Sequence, residues 1–124
     1  MILLDTDVLI AHLRGHQAAR EWLRSMRVEG RLAASAITVK ELTDAMRSPE
    51  RREMARLLST LSLKPVTLPI ARRAGALMRA YRRSHSGIGS ATAWWRDRRA
   101  GSELATLNVR QFPMFEDLRP PFAV

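Results

Sequence analysis

A few acidic and small polar residues stand in this chain where they could hold a cation. The first ten residues, Met1-Ile-Leu-Leu-Asp5-Thr-Asp7-Val-Leu-Ile10, form an apolar run broken by two carboxylates one residue apart. Such a run reads as a buried strand delivering acids at its C-terminal end, where open parallel sheets carry their sites. A helix should begin at Thr6, and its first N–H groups would meet part of the charge on Asp5. Burial beside so much aliphatic surface requires more than that, and a metal ion would supply the rest. In the purely structural alternative, Asp5 is the N-cap of the helix carrying Val8, Leu9 and Leu13. On these residues alone both readings stand.

The pattern then repeats. Arg31-Leu-Ala-Ala-Ser35-Ala-Ile37 has no helical period and is small and apolar, as a short interior strand would be. It runs into Thr38-Val-Lys-Glu41, where Thr38 and Glu41 have the spacing of a capping box. That is the structural account of Glu41; the functional one puts its carboxylate on the same rim as Asp5. Near the end, Ser102-Glu-Leu104-Ala-Thr-Leu107-Asn108 reads as another short strand closing on a polar residue. His12, His16 and His85 lack a ligand spacing and read as surface or loop residues.

The elements that must position these groups alternate between helix and strand, so the expected fold is α/β, a mainly parallel central sheet flanked by helices. Gly15 should end the first helix, and Ala19, Trp22, Leu23 and Met26 mark a second that runs to Gly30. Pro49 should open a helix whose apolar stripe is Met54, Leu57, Leu58 and Leu61. A short extended piece is expected between Pro65 and Pro69, then a helix from about Pro69 to Ser84 with Ile70, Ala74, Leu77, Met78 and Tyr81 inward. Its other face carries Arg72, Arg73, Arg79, Arg82 and Arg83, either a solvated face or a ridge for a phosphate backbone. The aromatic and proline-rich tail, from Phe112 to Phe122, should pack on the domain edge.

With 124 residues, 46% of them hydrophobic, the chain suits one compact domain, residues 1–124. It has no cysteine, which removes disulfides and thiolate metal sites and suits a reducing cytoplasm. No apolar run is long enough to cross a membrane, and no signal-peptide pattern opens the chain, so a soluble cytoplasmic protein with no membrane partner is expected. The formal charge is +9, and Lys40 and Lys64 are the only lysines. Such an arginine excess suits phosphate recognition, and equally an arginine-rich solvated surface.

Taken together, Met1 to Ile10, Ser35-Ala-Ile-Thr38-Val-Lys-Glu41-Leu and Leu104-Ala-Thr-Leu-Asn108-Val-Arg-Gln-Phe112-Pro-Met-Phe resemble the VapC toxins of the PIN-domain family. The resemblance spans almost the whole chain. It implies a PIN-like fold and a magnesium-dependent endoribonuclease, with manganese as the alternative ion, acting on structured RNA such as tRNA or ribosomal RNA. It also implies a VapB-type antitoxin, a homodimer, and operator DNA contacted only through that antitoxin. Carried over by position, Asp5 and Glu41 are the catalytic acids and metal ligands, and Asn108 stands where many members have a fourth acid. Thr6, Asp7, Thr38 and Asn108 are then candidates for orienting metal-bound water.

One segment departs from the pattern. After Gly87-Ile88-Gly89 the family has a helix opening in Asp-x-Leu-Ile/Val-Ala-Ala-Thr-Ala, whereas this chain reads Ser90-Ala-Thr-Ala-Trp94-Trp95-Arg-Asp97-Arg-Arg99. The third acid is missing, and Asp97 lies about two helical turns downstream of the junction. Tryptophan has one codon, so two of them followed by an arginine codon, read one frame over, spell Val-Ala; Asp and Leu are available just upstream. A local frame change therefore competes with an insertion or a divergent helix. Two functions remain open, a metal-dependent ribonuclease toxin impaired by this loss and a PIN-derived module that binds RNA or antitoxin without cutting.

Overall fold

The computed structural model describes residues 1–29, 32–81, 103–109, 112 and 118–123. In chain order these form β1 (Ile2–Leu4), α1 (Thr6–Leu13), α2 (Gln17–Glu29), β2 (Leu32–Ser35), α3 (Ala36–Ala45), a 3₁₀ turn (Ser48–Glu50), α4 (Arg51–Ser59), β3 (Ser62–Lys64), α5 (Leu68–Tyr81) and β4 (Glu103–Ala105). The four strands make one sheet in the order β3-β2-β1-β4, and every pairing is parallel. The α/β architecture with a parallel sheet matches the expectation.

Side chains on a strand alternate between faces, and the core divides accordingly. Leu4, Leu32, Ala34 and Ala105 point to one face, where Val8, Leu9 and Leu13 of α1, Leu23 of α2, Leu42 of α3 and Leu57 of α4 close over them. Leu3 and Ala33 point the other way, with Met1 and Leu104 against them. A buried leucine contributes about 2 kcal/mol through lost water contact, so the larger cluster carries most of the stability. It also sets the height of α1 and α3 over the sheet, and both helices begin at strand ends that become the site.

Several boundaries differ from those read in the sequence. The N-cap of α3 is Ser35, whose Oγ accepts from the Thr38 N–H at 3.2 Å. The Thr38–Glu41 capping box is therefore incorrect: the helix starts earlier, Thr38 is fully buried, and Glu41 lies in its second turn. Ser35 takes the cap because it is the last residue of the strand, and the helix starts where the ladder ends. The third strand precedes Pro65 instead of following it, since the residues up to Lys64 keep the N–H groups that pairing with β2 requires. Pro49 opens a 3₁₀ turn that leads into α4.

Gly15 ends α1 in the left-handed region at φ 81°, as its place at the end of the periodic run required. The end of α1 is then tied once to the 3₁₀ turn and once to α4. Arg14 reaches both oxygens of Glu50 at 2.6 and 2.7 Å, and His12 lies 3.0 Å from Glu53. His12 is thus a half-buried inter-helix contact on α1, correcting its reading as a surface or loop residue. His16 is half-buried against Phe122. Of the tail, Phe112 is fully buried and Phe122 packs beside Trp22 and the main core. Ala74 of α5 is buried, while Arg72, Arg73 and Arg79 are exposed. Arg82, Arg83, His85 and the departing segment 90–99, with its tryptophans, lie outside the described residues.

Candidate active site

The strand order decides which residues meet. β1 has β2 on one side and β4 on the other, and Leu4 pairs with Ala105 while Leu3 pairs with Ala33. One step further along each strand, Asp5 comes level with Thr106 and Ser35. Three polar groups separated by 101 residues at the extremes stand side by side at the C-terminal edge of one sheet.

Asp5 is 4% exposed, and its burial is compensated from two directions. Its Oδ1 accepts the Thr6 N–H at 2.8 Å, and its Oδ2 accepts the Thr106 hydroxyl at 2.6 Å. Asp5 is the N-cap of α1, and the same side chain also reaches the end of β4 through Thr106.

Asp7, one residue on, points back across the same edge and accepts the Leu107 N–H on both oxygens, at 3.2 and 3.1 Å. The Thr106 hydroxyl is also 3.3 Å from Asp7, but it has one proton, and the shorter contact assigns that proton to Asp5. Burial, and next the negative charge of Asp5, raise the Asp7 carboxyl from 3.8 to about 6, against the pull of the Leu107 and Val8 N–H groups. Glu41 is half-buried and also raised, chiefly by burial, with Asp5 and Asp7 adding to it and the Thr6 hydroxyl opposing it. That hydroxyl faces Glu41 without reaching hydrogen-bond geometry; its oxygen is buried and has no partner.

The sign of the Asp7 shift gives a stability prediction. Its folded pKa lies above the ordinary value, so between about pH 4 and pH 6 the native state holds more protons than the unfolded one, and stability falls as pH rises through that window. Above it the ionised group costs about 1–2 kcal/mol, allowing for partial exposure to water. Asp7→Asn should then raise Tm by about 3–8 °C at pH 7.5 in chelator, and by less at pH 4.5. The amide oxygen alone can still accept from Leu107. An equal gain at both pH values, read by differential scanning calorimetry, would remove charge as the cause.

The sequence-predicted residues divide into three groups. Asp5, Thr6, Asp7 and Glu41 come together. Thr38 does not join them, because its N–H and hydroxyl both turn to Ser35. Asn108 is exposed, and its backbone N–H donates to Thr106 Oγ at 3.1 Å. The residue missed is Thr106, fully buried and bonded to Asp5. Its signal was its place as the first polar residue after the last short strand, ahead of the Asn108 that was singled out.

A magnesium ion is a reasonable occupant on donor chemistry. It keeps several waters and is held by one or two carboxylates together with substrate phosphates. Neither Asp7 nor Glu41 forms an ion pair within the described residues, and both are raised by neighbouring acids, which a bound cation would relieve. Among the described residues, however, no three acidic or histidine side chains converge closely enough to form a metal cage by themselves. The set suits a sparse two-carboxylate anchor.

The PIN domain family model matches residues 2–108. This chain belongs to the PIN-domain family. Ribonuclease VapC10 of Mycobacterium tuberculosis is 56% identical over 130 residues, covering 100% of this chain and 95% of the relative. Ribonuclease VapC19 of the same organism is 40% identical over 129 residues, covering 98% and 100%. These relatives place the chain among the VapC-type toxins of the PIN-domain family. In fold it is similar to a toxin–antitoxin complex from Klebsiella pneumoniae, with TM-score 0.77, 24% identity and full coverage of both chains. It is also similar to VapBC2 from Rickettsia felis, solved bound to a fragment of promoter DNA, with TM-score 0.73, 16% identity and 95% and 96% coverage. The PIN fold explains why Asp5 and Glu41 follow adjacent strands: each junction turns from sheet to helix at the same edge.

Proposed function

We propose that this PIN-domain protein is a magnesium-dependent endoribonuclease toxin that cuts structured RNA such as tRNA or ribosomal RNA. The observation that carries the reading is the placement of Asp5 and Glu41 at adjacent strand ends with Asp7 beside Asp5, where burial and then the neighbouring charges raise the proton affinity of Asp7 and Glu41. Two relatives named ribonucleases, at 56% and 40% identity, support the class of reaction. Asp5 and Glu41 would hold the ion. Bound there, magnesium supplies a Lewis acid and an activated water for phosphodiester hydrolysis. The Thr6 N–H and the Thr106 hydroxyl fix the orientation of Asp5, and Leu107 fixes Asp7, so the carboxylates meet a ligand without rearranging. Thr6 and Asp7 would orient water around the ion, and Arg72, Arg73 and Arg79, which are exposed, would offer phosphate contacts. The same reading makes a VapB-type antitoxin its partner, a homodimer its working state, and operator DNA a target only through the antitoxin.

The test is cleavage of total tRNA with magnesium and with chelator, manganese being the alternative ion. Cutting that depends on the ion supports the proposal, and ion-independent cutting excludes it. A second reading, a module that binds RNA or antitoxin without cutting, is favoured by the missing carboxylate in segment 90–99 and the absence of a three-acid cage among the described residues. Retained RNA binding with cleavage at background would select it.

A further inference from the structure

Away from the acids, at the other end of α1, a cleft of about 260 Å³ opens between α1, α2 and α4. Arg20, Arg24 and Arg27 line it from α2, and Arg56 faces them from α4. The three arginines of α2 follow one another at spacings of four and three, so they share one stripe of the helix. Like charges so placed destabilise a helix unless an opposite charge meets them. The lining contains one carboxylate, Glu53, and it is already engaged: His12 bonds to it and Arg56 lies 3.9 Å away. Arg24 and Arg27 have no ion pair with any described residue. Four guanidinium groups against one committed carboxylate leave a concave site with excess positive charge and many N–H donors.

We propose that this cleft binds a phosphate group of the RNA backbone, as a subsite of the reading given under Proposed function. Arginine presents paired donors that match phosphate oxygens. The competing occupant is an acidic peptide helix. Its case is weaker, because Leu23 and Leu57 beneath the cleft are already buried and offer no apolar seat. His12 is seven residues beyond Asp5 along α1, about 10 Å of helix rise. A strand engaged at the acids can reach that far within a footprint of about four nucleotides or more.

The experiment measures binding of a labelled single-stranded oligoribonucleotide, about twelve nucleotides long, in chelator so that cleavage does not intervene. Three proteins are compared across a salt series: the native chain, the double variant Arg24→Gln/Arg27→Gln, and Arg51→Gln/Arg52→Gln, which removes the same charge from the exposed start of α4 outside the cleft. Loss of the phosphate contact should weaken binding roughly tenfold near physiological salt and flatten the log–log salt slope by about 0.7. The α4 control should change affinity by less than about threefold. Equal losses in both variants would mean diffuse charge and overturn the proposal. So would unchanged RNA affinity in Arg24→Gln/Arg27→Gln, including the case in which affinity for a cognate antitoxin falls instead. If the native chain binds no RNA at all, the ribonuclease reading fails with it; if it binds and the cleft variant binds equally, only the subsite fails.

Discussion

Glu41→Gln and Asp5→Asn should each lower magnesium-dependent RNA cleavage by at least about a hundredfold while leaving a folded protein. The proposed anchors of the ion are these two acids, which strand order brings to one edge, and an amide lacks the charge that holds a hard cation. Folding should survive for different reasons in the two variants. Glu41 is held above its ordinary pKa, so the native state carries extra protons relative to the unfolded one, and stability attached to that proton is lost as pH rises. Glutamine removes this penalty, and the apo protein should melt slightly higher at neutral pH. Asp5 accepts from Thr6 on one oxygen and from Thr106 on the other, whereas asparagine has only one acceptor. The Thr106 hydroxyl can rotate its proton toward Asp7 and accept from the new amide, which limits the cost to about 1 kcal/mol. Cleavage assays paired with calorimetry check both halves, and undiminished cleavage in both variants would remove these acids from the site.

Replacing residues 90–99 by a helix that opens with aspartate and continues Leu-Val-Ala-Ala-Thr-Ala should raise metal-dependent cleavage by about tenfold or more and tighten magnesium binding. Few protein groups anchor a magnesium ion, and each carboxylate added contributes a large share of the attraction. The chain as it stands should bind magnesium weakly and retain RNA binding, since fewer acids repel the phosphates. The original and the replaced proteins are compared by cleavage of the same RNA over a magnesium titration. Robust cleavage by the original, unimproved by the replacement, would show that Asp5, Glu41 and groups other than a third acid suffice. Sequencing the gene across these codons separates a frame change from a divergent helix.

Local chemistry was enough for much of this. Leucine and isoleucine before Asp5, a helix starting at Thr6, the glycine at 15 and the leucine stripe of α4 are choices made within a few residues, by burial, capping and backbone freedom. The acids Asp5 and Glu41 were legible for the same reason, since each is a charged residue just past an apolar run. Thr106 was not, and neither was the true role of Thr38. Both are small hydroxyl residues whose partners are set by position: Thr106 reaches Asp5 only because β4 pairs with β1 in a register that makes them neighbours. Thr38 turns to Ser35 because the strand ends there and the helix takes its cap from the last strand residue. A hydroxyl carries no charge and little apolar surface, so its sequence neighbours do not reveal what it bonds. The cleft arginines were similarly silent, because an arginine on a helix is a solvated charge until a second helix faces it. Residue type and local spacing determined the elements and the acids; strand register and helix packing determined which groups those acids meet, because hydrogen bonds and charge coupling depend on distances of a few ångströms between residues far apart in the chain.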